Sequence, residues 1–339
     1  MMYKSNKKDY SNAKIYKSIA LFNTLSKILK FIIFEHLQNI MKACNSISDI
    51  QMKAHKHKSI NTTLQLITKK IYIVWSDTRK KVVLLLSLNE KNAFNNVTHD
   101  RLLHNMKKRK VLRLFLKFVK NFLKDQCIII IIDDYMMMKR SVNINISQDS
   151  SLLLILYLFC NMNLLKACND IKLKINFTSF VNDINILTYK KFTKYNCKVL
   201  DEIYDKCEQW SKMHDIKFLK TKHKLIYFTR TFKWFNMNEN LKLTKHQIDS
   251  KSNIRILRIQ LNFKLKWVIH MHYVKAKLMI KQKIMQTIIK FTWDSLIMMR
   301  KQIYFMMTCS LLSHEVIVWY TLQEMKNHWK DLNVKLRSV

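Results

Sequence analysis

The sequence predicts an α+β fold in which an antiparallel sheet packs on helices, and three observations carry that prediction. Amphipathic helical stretches are mixed with short β-prone runs. Two pairs of those runs are joined by links of only a few residues, which reads as hairpins and so as antiparallel pairing. One run, 82–88, is apolar except for Ser87 and suits a strand covered on both faces.

Along the chain, Leu25, Ile28, Leu29, Ile32, Leu37, Ile40 and Met41 recur mostly at three- and four-residue steps, which predicts a helix over about 23–42 with one apolar stripe. A second helix is expected around 62–74, followed by the strand at 82–88. Thr98 and Asp100 offer caps to a helix carrying Leu102, Leu103 and Met106, and Leu112, Phe115, Val119 and Phe122 repeat the pattern in another. The runs 127–132 and 136–144 flank Asp133, Asp134 and Tyr135 as a hairpin. A helix over about 151–168 precedes a second hairpin, 172–180 and 184–189, linked by Val181, Asn182 and Asp183. Beyond it lie a helix near 193–213, strands near 224–229 and 254–261, and a basic helical C-terminal third with Trp267, Trp293 and Trp319.

Composition narrows the function classes. Average usage of ~7% Gly and ~5% Pro would give about 24 glycines and about 17 prolines in a chain of this length. The 339 residues contain neither. Tight turns, helix C-caps and backbone with φ > 0 ordinarily use them, so the absence has a cause outside folding physics. Collagenous, proline-rich and Gly/Ser-linker architectures are excluded, and 49% hydrophobic with 11% aromatic residues excludes a disordered tail. The 61 Lys+Arg against 23 Asp+Glu leave a net charge of +38, a balance suited to a polyanionic partner such as nucleic acid. The seven cysteines, Cys44, Cys127, Cys160, Cys168, Cys197, Cys207 and Cys309, include no CxxC pair, so reduced thiols in an intracellular setting, nuclear or cytoplasmic and not secreted, are expected. The longest apolar run, 152–160, is about half the ~20 residues of a membrane span, so no membrane segment is expected. His55 and His57 lack carboxylate or thiol companions and predict no metal site.

Three ordered blocks carry a resemblance. SLNEKNAFNNVTHDRLLHNM (87–106), VNINISQDSSLLLILYLF (142–159) and FVNDINILTY (180–189) resemble, without gaps, the LDVKGAFDNV, GIPQGSPLSPILYL and FVDDINIL blocks of the reverse transcriptase domain of non-LTR retrotransposons. YKSIALFNTLSKILK (16–30) is similar to YRPIALLNTLGKILE, QMKAHKHKS (51–59) to QMGARKHRS, and RILRIQLNFKLKW (255–267) to the RVLGIQLD strand; KFLKTKHKLIYF (217–228) resembles the block that carries a lysine after the palm hairpin. The likeness spans most of residues 10–270. It implies a right-hand polymerase fold: an N-terminal extension and fingers over 1–80, a palm with a finger insertion over 81–265, and a helical thumb or connection over 266–339.

The departures share a direction. Where the family has Gly this chain has Ser26, Lys53, Asn92, Asn145, Asp149 and Arg258; where it has Pro, Ser18, Ser147, Ser151 and Leu154; where it has Asp, Asn89, Asn95 and Asn182. C-to-T and G-to-A transitions produce all of these. The expectation is a mutationally degraded copy.

The resemblance implies RNA-templated DNA synthesis from dNTPs, with an RNA template, a DNA primer or target and Mg²⁺. Such phosphoryl transfer uses two Mg²⁺ ions about 3.5–4 Å apart, held by carboxylates because Mg²⁺ prefers anionic oxygen ligands. The family's three metal-binding aspartates fall on Asn89, Asn182 and Asp183, so two of the three charges are gone. Weakened Mg²⁺ binding and impaired catalysis follow. The resemblance further implies nucleotide and template roles for Lys58, Phe94, Gln148 and Lys222: a basic finger residue, the aromatic that blocks a 2′-hydroxyl, a pocket glutamine and the lysine assisting pyrophosphate departure. Asp133 and Asp134 form another adjacent pair, but they precede the glutamine block and stand where the family has an Asp-Gly turn. Two other expectations stay open: a non-catalytic basic nucleic-acid-binding remnant, and the unstable product of a decayed repeat.

If mutation and not selection removed glycine and proline, sequencing the locus will show third codon positions and non-coding flanks equally depleted in G and C; GC-rich flanks would contradict this.

Overall fold

The apolar run that starts at Val82 continues past its expected end to Lys91 and forms the strand on which the main sheet of this computed structural model is assembled. The structure describes residues 23–43, 50–53, 58–77, 81–91, 93–94, 96–124, 152–168, 175–214, 216–230, 241–243 and 246–291. It also describes short paired segments at 2–3, 16–17, 127–128, 131–132, 135–136 and 140–141, and single positions or pairs at 138, 298, 302–303, 305–306 and 318. In chain order the elements are β1 (Met2–Tyr3), β2 (Tyr16–Lys17), α1 (Thr24–Ala43), α2 (Ile60–Ser76), β3 (Val82–Lys91), α3 (His99–Lys108), α4 (Arg113–Leu123), β4 (Cys127–Ile128), β5 (Ile131–Ile132), β6 (Tyr135–Met136), β7 (Arg140–Ser141) and α5 (Leu152–Cys168). They continue with β8 (Ile175–Phe180), β9 (Asp183–Lys190), α6 (Thr193–His214), β10 (Lys217–Phe218), β11 (Lys224–Phe228), β12 (Leu241–Leu243), β13 (His246–Ile248), β14 (Asn253–Ile256), β15 (Ile259–Asn262) and α7 (Val268–Phe291). The fold is mixed helix and antiparallel sheet.

In the main sheet β9 lies on one side of β3 and the hairpin partner β8 lies beyond it, while β10 and β11 share the other side of β3. Period-2 alternation divides β3 between two cores. Val82, Leu84, Leu86 and Leu88 pack with Ile184, Ile186, Leu225 and Tyr227 against α6, through Leu200, Ile203, Tyr204 and Trp210. Val83 and Leu85 pack with Leu187, Ile226 and Phe228 against α2 and the β14–β15 hairpin. Both faces are covered, which is why the run is continuously apolar. In a third cluster α5 is buried nearly all round, from Leu152 to Met162, by α1, α3 and α4.

Local chemistry sets the helix ends. Ser59 and Thr62 cap α2 reciprocally, the Ser59 hydroxyl accepting from the Thr62 N–H at 3.4 Å and the Thr62 hydroxyl from the Ser59 N–H at 3.3 Å. Thr98 occupies the cap position of α3, but its side chain makes no capping hydrogen bond. That helix stops in a Schellman motif, with Lys110 N–H on the Lys107 carbonyl at 2.9 Å and Val111 N–H on that of Met106 at 3.2 Å, while Val111 and Met106 bury together.

Two expectations are corrected. The single stripe on α1 is split: Ile33, Leu37 and Met41 are buried, whereas Leu25, Ile28, Leu29 and Ile32 point outward at 79%, 52%, 50% and 47% exposure. The helix turns its Lys30, Ile33, Leu37, Met41 line to α5, and two apolar lines cannot both face one neighbour. The single strand expected over 254–261 is the hairpin β14–β15, folded back at Leu257 and Arg258. Strands β4–β7 and β5–β6 pair antiparallel, while Asp133, Asp134, His55 and His57 lie outside the described residues.

Five described residues have φ > 0: Lys110 (56°), Val181 (60°), Leu257 (45°), Arg258 (74°) and Leu265 (51°). Leu257 and Arg258 form a two-residue hairpin loop with both φ positive, the type I′ pattern that favours Asn-Gly. Arg258 is a position where the resemblance has glycine. A non-glycine residue in this region costs ~1–2 kcal/mol. Arg258→Gly therefore raises stability by about 1 kcal/mol in urea unfolding at unchanged m; an unchanged or lowered midpoint would contradict the strain.

Candidate functional site

The site forms where the apolar run ends. Asn89 follows Leu88 near the end of β3, and the β3–β9 register sets it directly opposite Asp183. Phe180 pairs with Asp183 across a two-residue turn, Val181 and Asn182, so all three positions that the sequence singles out are brought together. The Asn89 side-chain amide donates to the Asp183 carboxylate. The backbone binds the turn to the strand: Glu90 N–H donates to the Asn182 carbonyl at 3.3 Å, and Leu219 N–H to the Asn89 carbonyl at 2.9 Å. The segment after β10 therefore wraps the end of β3.

That wrap delivers cations. Lys222 ends the short 3-10 turn Lys220–Lys222, and Lys224 pairs with Ser87, two positions before Asn89 and on the same face of the sheet. Lys224 donates its ammonium to the Arg255 carbonyl. Burial raises the Asp183 carboxyl above its ordinary range, opposed by the Asn89 hydrogen bond and by Lys224 and Lys222. Burial likewise lowers Lys224, with Asp183 opposing and Arg255, Lys251 and Lys222 adding to the effect. Lys58 stands one residue before the α2 cap and is half-buried, at the start of a helix on this same face. Gln148 lies outside the described residues.

The opposite face holds a buried polar layer that sequence reasoning missed. Glu90 is 2% exposed and accepts from the Tyr157 hydroxyl. Asn161 donates to the Tyr157 oxygen at 3.1 Å and to the Val181 carbonyl at 3.5 Å. Gln51 and Ser179 also donate to the Val181 carbonyl, each at 3.4 Å. Three donors on one carbonyl hold a β-branched residue in a conformation that it disfavours. Phe94 lies edge-on to Tyr157, with ring centroids 5.1 Å apart, so it packs over this layer. The available signals were Glu90, an acid inside a strand that stays buried, and Asn161, directly after the 152–160 run. Gln51 was visible only as the first residue of a similar block.

Burial pushes the Glu90 carboxyl up to about 8, against the Tyr157 and Asn161 hydrogen bonds. Burial and the adjacent Glu90 push the Tyr157 hydroxyl well up, so it remains a donor.

The donor set does not fit the metal pair that the resemblance implies. Two hard dications need several anionic oxygens. Asp183 is the one carboxylate of the three positions, its partner Asn89 presents an NH₂ group to it, and Lys222 and Lys224 already act on its charge. Among the described residues no group of three His, Cys, Asp or Glu side chains is arranged to hold a metal ion.

No family model matches the chain, and no curated protein matches it. Among solved structures it is similar to telomerase from Candida tropicalis in complex with a TWJ fragment of telomeric RNA, with TM-score 0.49 and 12% identity over 72% of this chain and 37% of that one. It is also similar to apo telomerase from Candida tropicalis truncated from the C-terminal domain (TM-score 0.47, 8% identity, 71% and 44% coverage). A third is telomerase from Candida albicans with a TWJ fragment (TM-score 0.46, 11% identity, 71% and 38%). The chain thus spans less than half the length of these structures, and overlaps of this size bear on no activity or partner. Among the described residues no helix is long and apolar enough to cross a membrane.

A pH dependence follows from Glu90. Folded Glu90 keeps its proton up to about 8, whereas the unfolded carboxyl releases it near 4.5, so between these values the folded state binds the extra proton. Its stabilising contribution is complete below about pH 4.5 and is lost as pH rises toward about 8; Asp201, raised to about 6, adds in the same direction. Melting temperatures from pH 5 to 8 should therefore fall more steeply for the unmodified chain than for Glu90→Gln, and parallel profiles would rule this out.

Proposed function

We propose that the chain is the reverse transcriptase domain of a non-LTR retrotransposon, with fingers, palm and thumb over 1–80, 81–265 and 266–339, in a copy whose catalytic chemistry is disabled. The motif blocks support the assignment, and the Asn89–Asp183 side-chain bond carries the loss of activity. In the parent reaction, RNA-templated DNA synthesis from dNTPs, carboxylates at these positions would concentrate Mg²⁺, which lowers the primer hydroxyl's pKa and neutralises the triphosphate. Each Asp-to-Asn change removes one negative charge there. What this chain's residues still do is bind: Lys222 and Lys224 face the site with positive charge, and the +38 chain holds RNA template and DNA primer by counterion release. Mg²⁺ binding is weak in this reading.

A second reading, favoured by the five non-glycine residues at φ > 0, is a chain of slight stability. At ~1–2 kcal/mol each they consume much of a usual margin of ~5–15 kcal/mol.

Primer extension on an RNA template with Mg²⁺ or Mn²⁺ separates these outcomes. The unmodified chain should incorporate no dNTP, and Asn89→Asp combined with Asn182→Asp should restore incorporation. Robust extension by the unmodified chain would overturn the loss of activity, and broad, uncooperative melting of both proteins would favour the second reading.

A further inference from the structure

Strand β9 begins at the site with Asp183 and ends at Lys190, about 23 Å away at ~3.3 Å per residue. At that far end the chain enters α6 through Lys191 and Phe192, and Lys194 and Tyr195 lie in the first turn of the helix. The phase of α6 is fixed by its buried line Thr193, Asn196, Cys197 and Leu200, and by the Asn196 amide donating to the Val82 carbonyl at 3.2 Å. Phe192 and Tyr195 are therefore turned outward, at 55% and 60% exposure. Their rings lie 6.0 Å apart at 58°, and the Lys191 ammonium sits 5.6 Å from the Phe192 ring centroid. Lys194 and Lys198 are also exposed. No acidic residue occurs between Asp183 and Asp201, and on the adjoining β3 edge Asp77 is already paired with Lys81.

We propose that Phe192 and Tyr195, with Lys191, Lys194 and Lys198, form a second site, separate from the Asn89–Asp183 end of the sheet, that binds single-stranded nucleic acid. The two ring faces stack on unpaired bases and the three ammonium groups meet the phosphates between them, a combination that tolerates any sequence. A duplex hides its base faces and offers the rings nothing. An anionic lipid surface would use the lysines but gives two adjacent rings no matched spacing.

The test uses the full chain with fluorescein-labelled 12-nucleotide oligo-dT and oligo-rU, read by anisotropy across a KCl series. Phe192→Ala with Tyr195→Ala should weaken binding about tenfold or more at an unchanged salt slope. Lys191→Gln, Lys194→Gln and Lys198→Gln together should lower the slope of log K against log[salt] by about 2, at ~0.7 per phosphate contact. Oligonucleotides carrying 5-iodouridine should crosslink to Phe192 or Tyr195 in the unmodified chain, as located by mass spectrometry. All five side chains lie at the surface, and circular dichroism should show unchanged folding. Wild-type affinity in the aromatic variant, crosslinks confined to other residues, an equal loss of 12-base-pair duplex binding in that variant, or variant-sensitive binding of phosphatidylserine vesicles without oligonucleotide binding would overturn the proposal. Primer extension reads the other end of β9, so its failure leaves these outcomes unaffected.

Discussion

The register of β3 against β9 is the constraint on which the rest depends. It sets Asn89 opposite Asp183 with Glu90 on the other face, and the β3–β11 pairing then brings Lys224 to the Asn89 face. In a half-buried sheet a one-residue slip is resisted because it turns apolar side chains to water. Here both faces are apolar over 82–86, so burial alone does not choose between registers. Polar side chains at the strand ends make the choice. Asn196 holds the Val82 carbonyl at one end, and at the other Tyr157 holds Glu90 while Gln51, Asn161 and Ser179 hold the Val181 carbonyl. The buried polar layer thus specifies the geometry through the hydrogen bonds it makes, while Gln51, Glu90 and Asn161 each keep one buried side-chain oxygen without a partner.

Much of the fold was legible because its signals are local. The 82–88 run, the second hairpin and the helix over 193–213 all appear close to their expected bounds, since covered strands and amphipathic helices each have their own period. The failures arise from distant packing partners and from a turn that lacks its usual residues. Which of the two apolar lines of α1 faces inward depends on α5, and nothing within 23–42 encodes it. The β14–β15 hairpin was hidden because its turn is Leu257-Arg258, which carries no turn signal. At the site, Asn89, Asn182 and Asp183 were legible as a motif, whereas Glu90, Tyr157 and Asn161 act only through contacts separated by up to 67 residues in sequence.

The missing glycines have a structural counterpart in the strained positions. Lys110 closes α3 at a C′ position normally given to glycine, and Arg258 completes a turn normally given to Asn-Gly. The backbone keeps the shape that glycine would make easy, because hydrogen bonds and buried neighbours over-determine it. Asn89 and Asn182, where the resemblance has aspartate, differ in kind: an amide in place of a carboxylate bears on charge and hydrogen bonding, as in the Asn89 donation to Asp183, and makes no demand on the backbone.

The outward stripe of α1 gives the chain's high charge a colloidal meaning. Leu25, Ile28, Leu29 and Ile32 form an adhesive strip on a body whose net charge is +38. Mutual repulsion between molecules keeps such strips apart while the field extends beyond the surface, but at physiological ionic strength it fades over about 8 Å, roughly the reach of a single lysine. Rising salt therefore weakens the repulsion that acts between such strips.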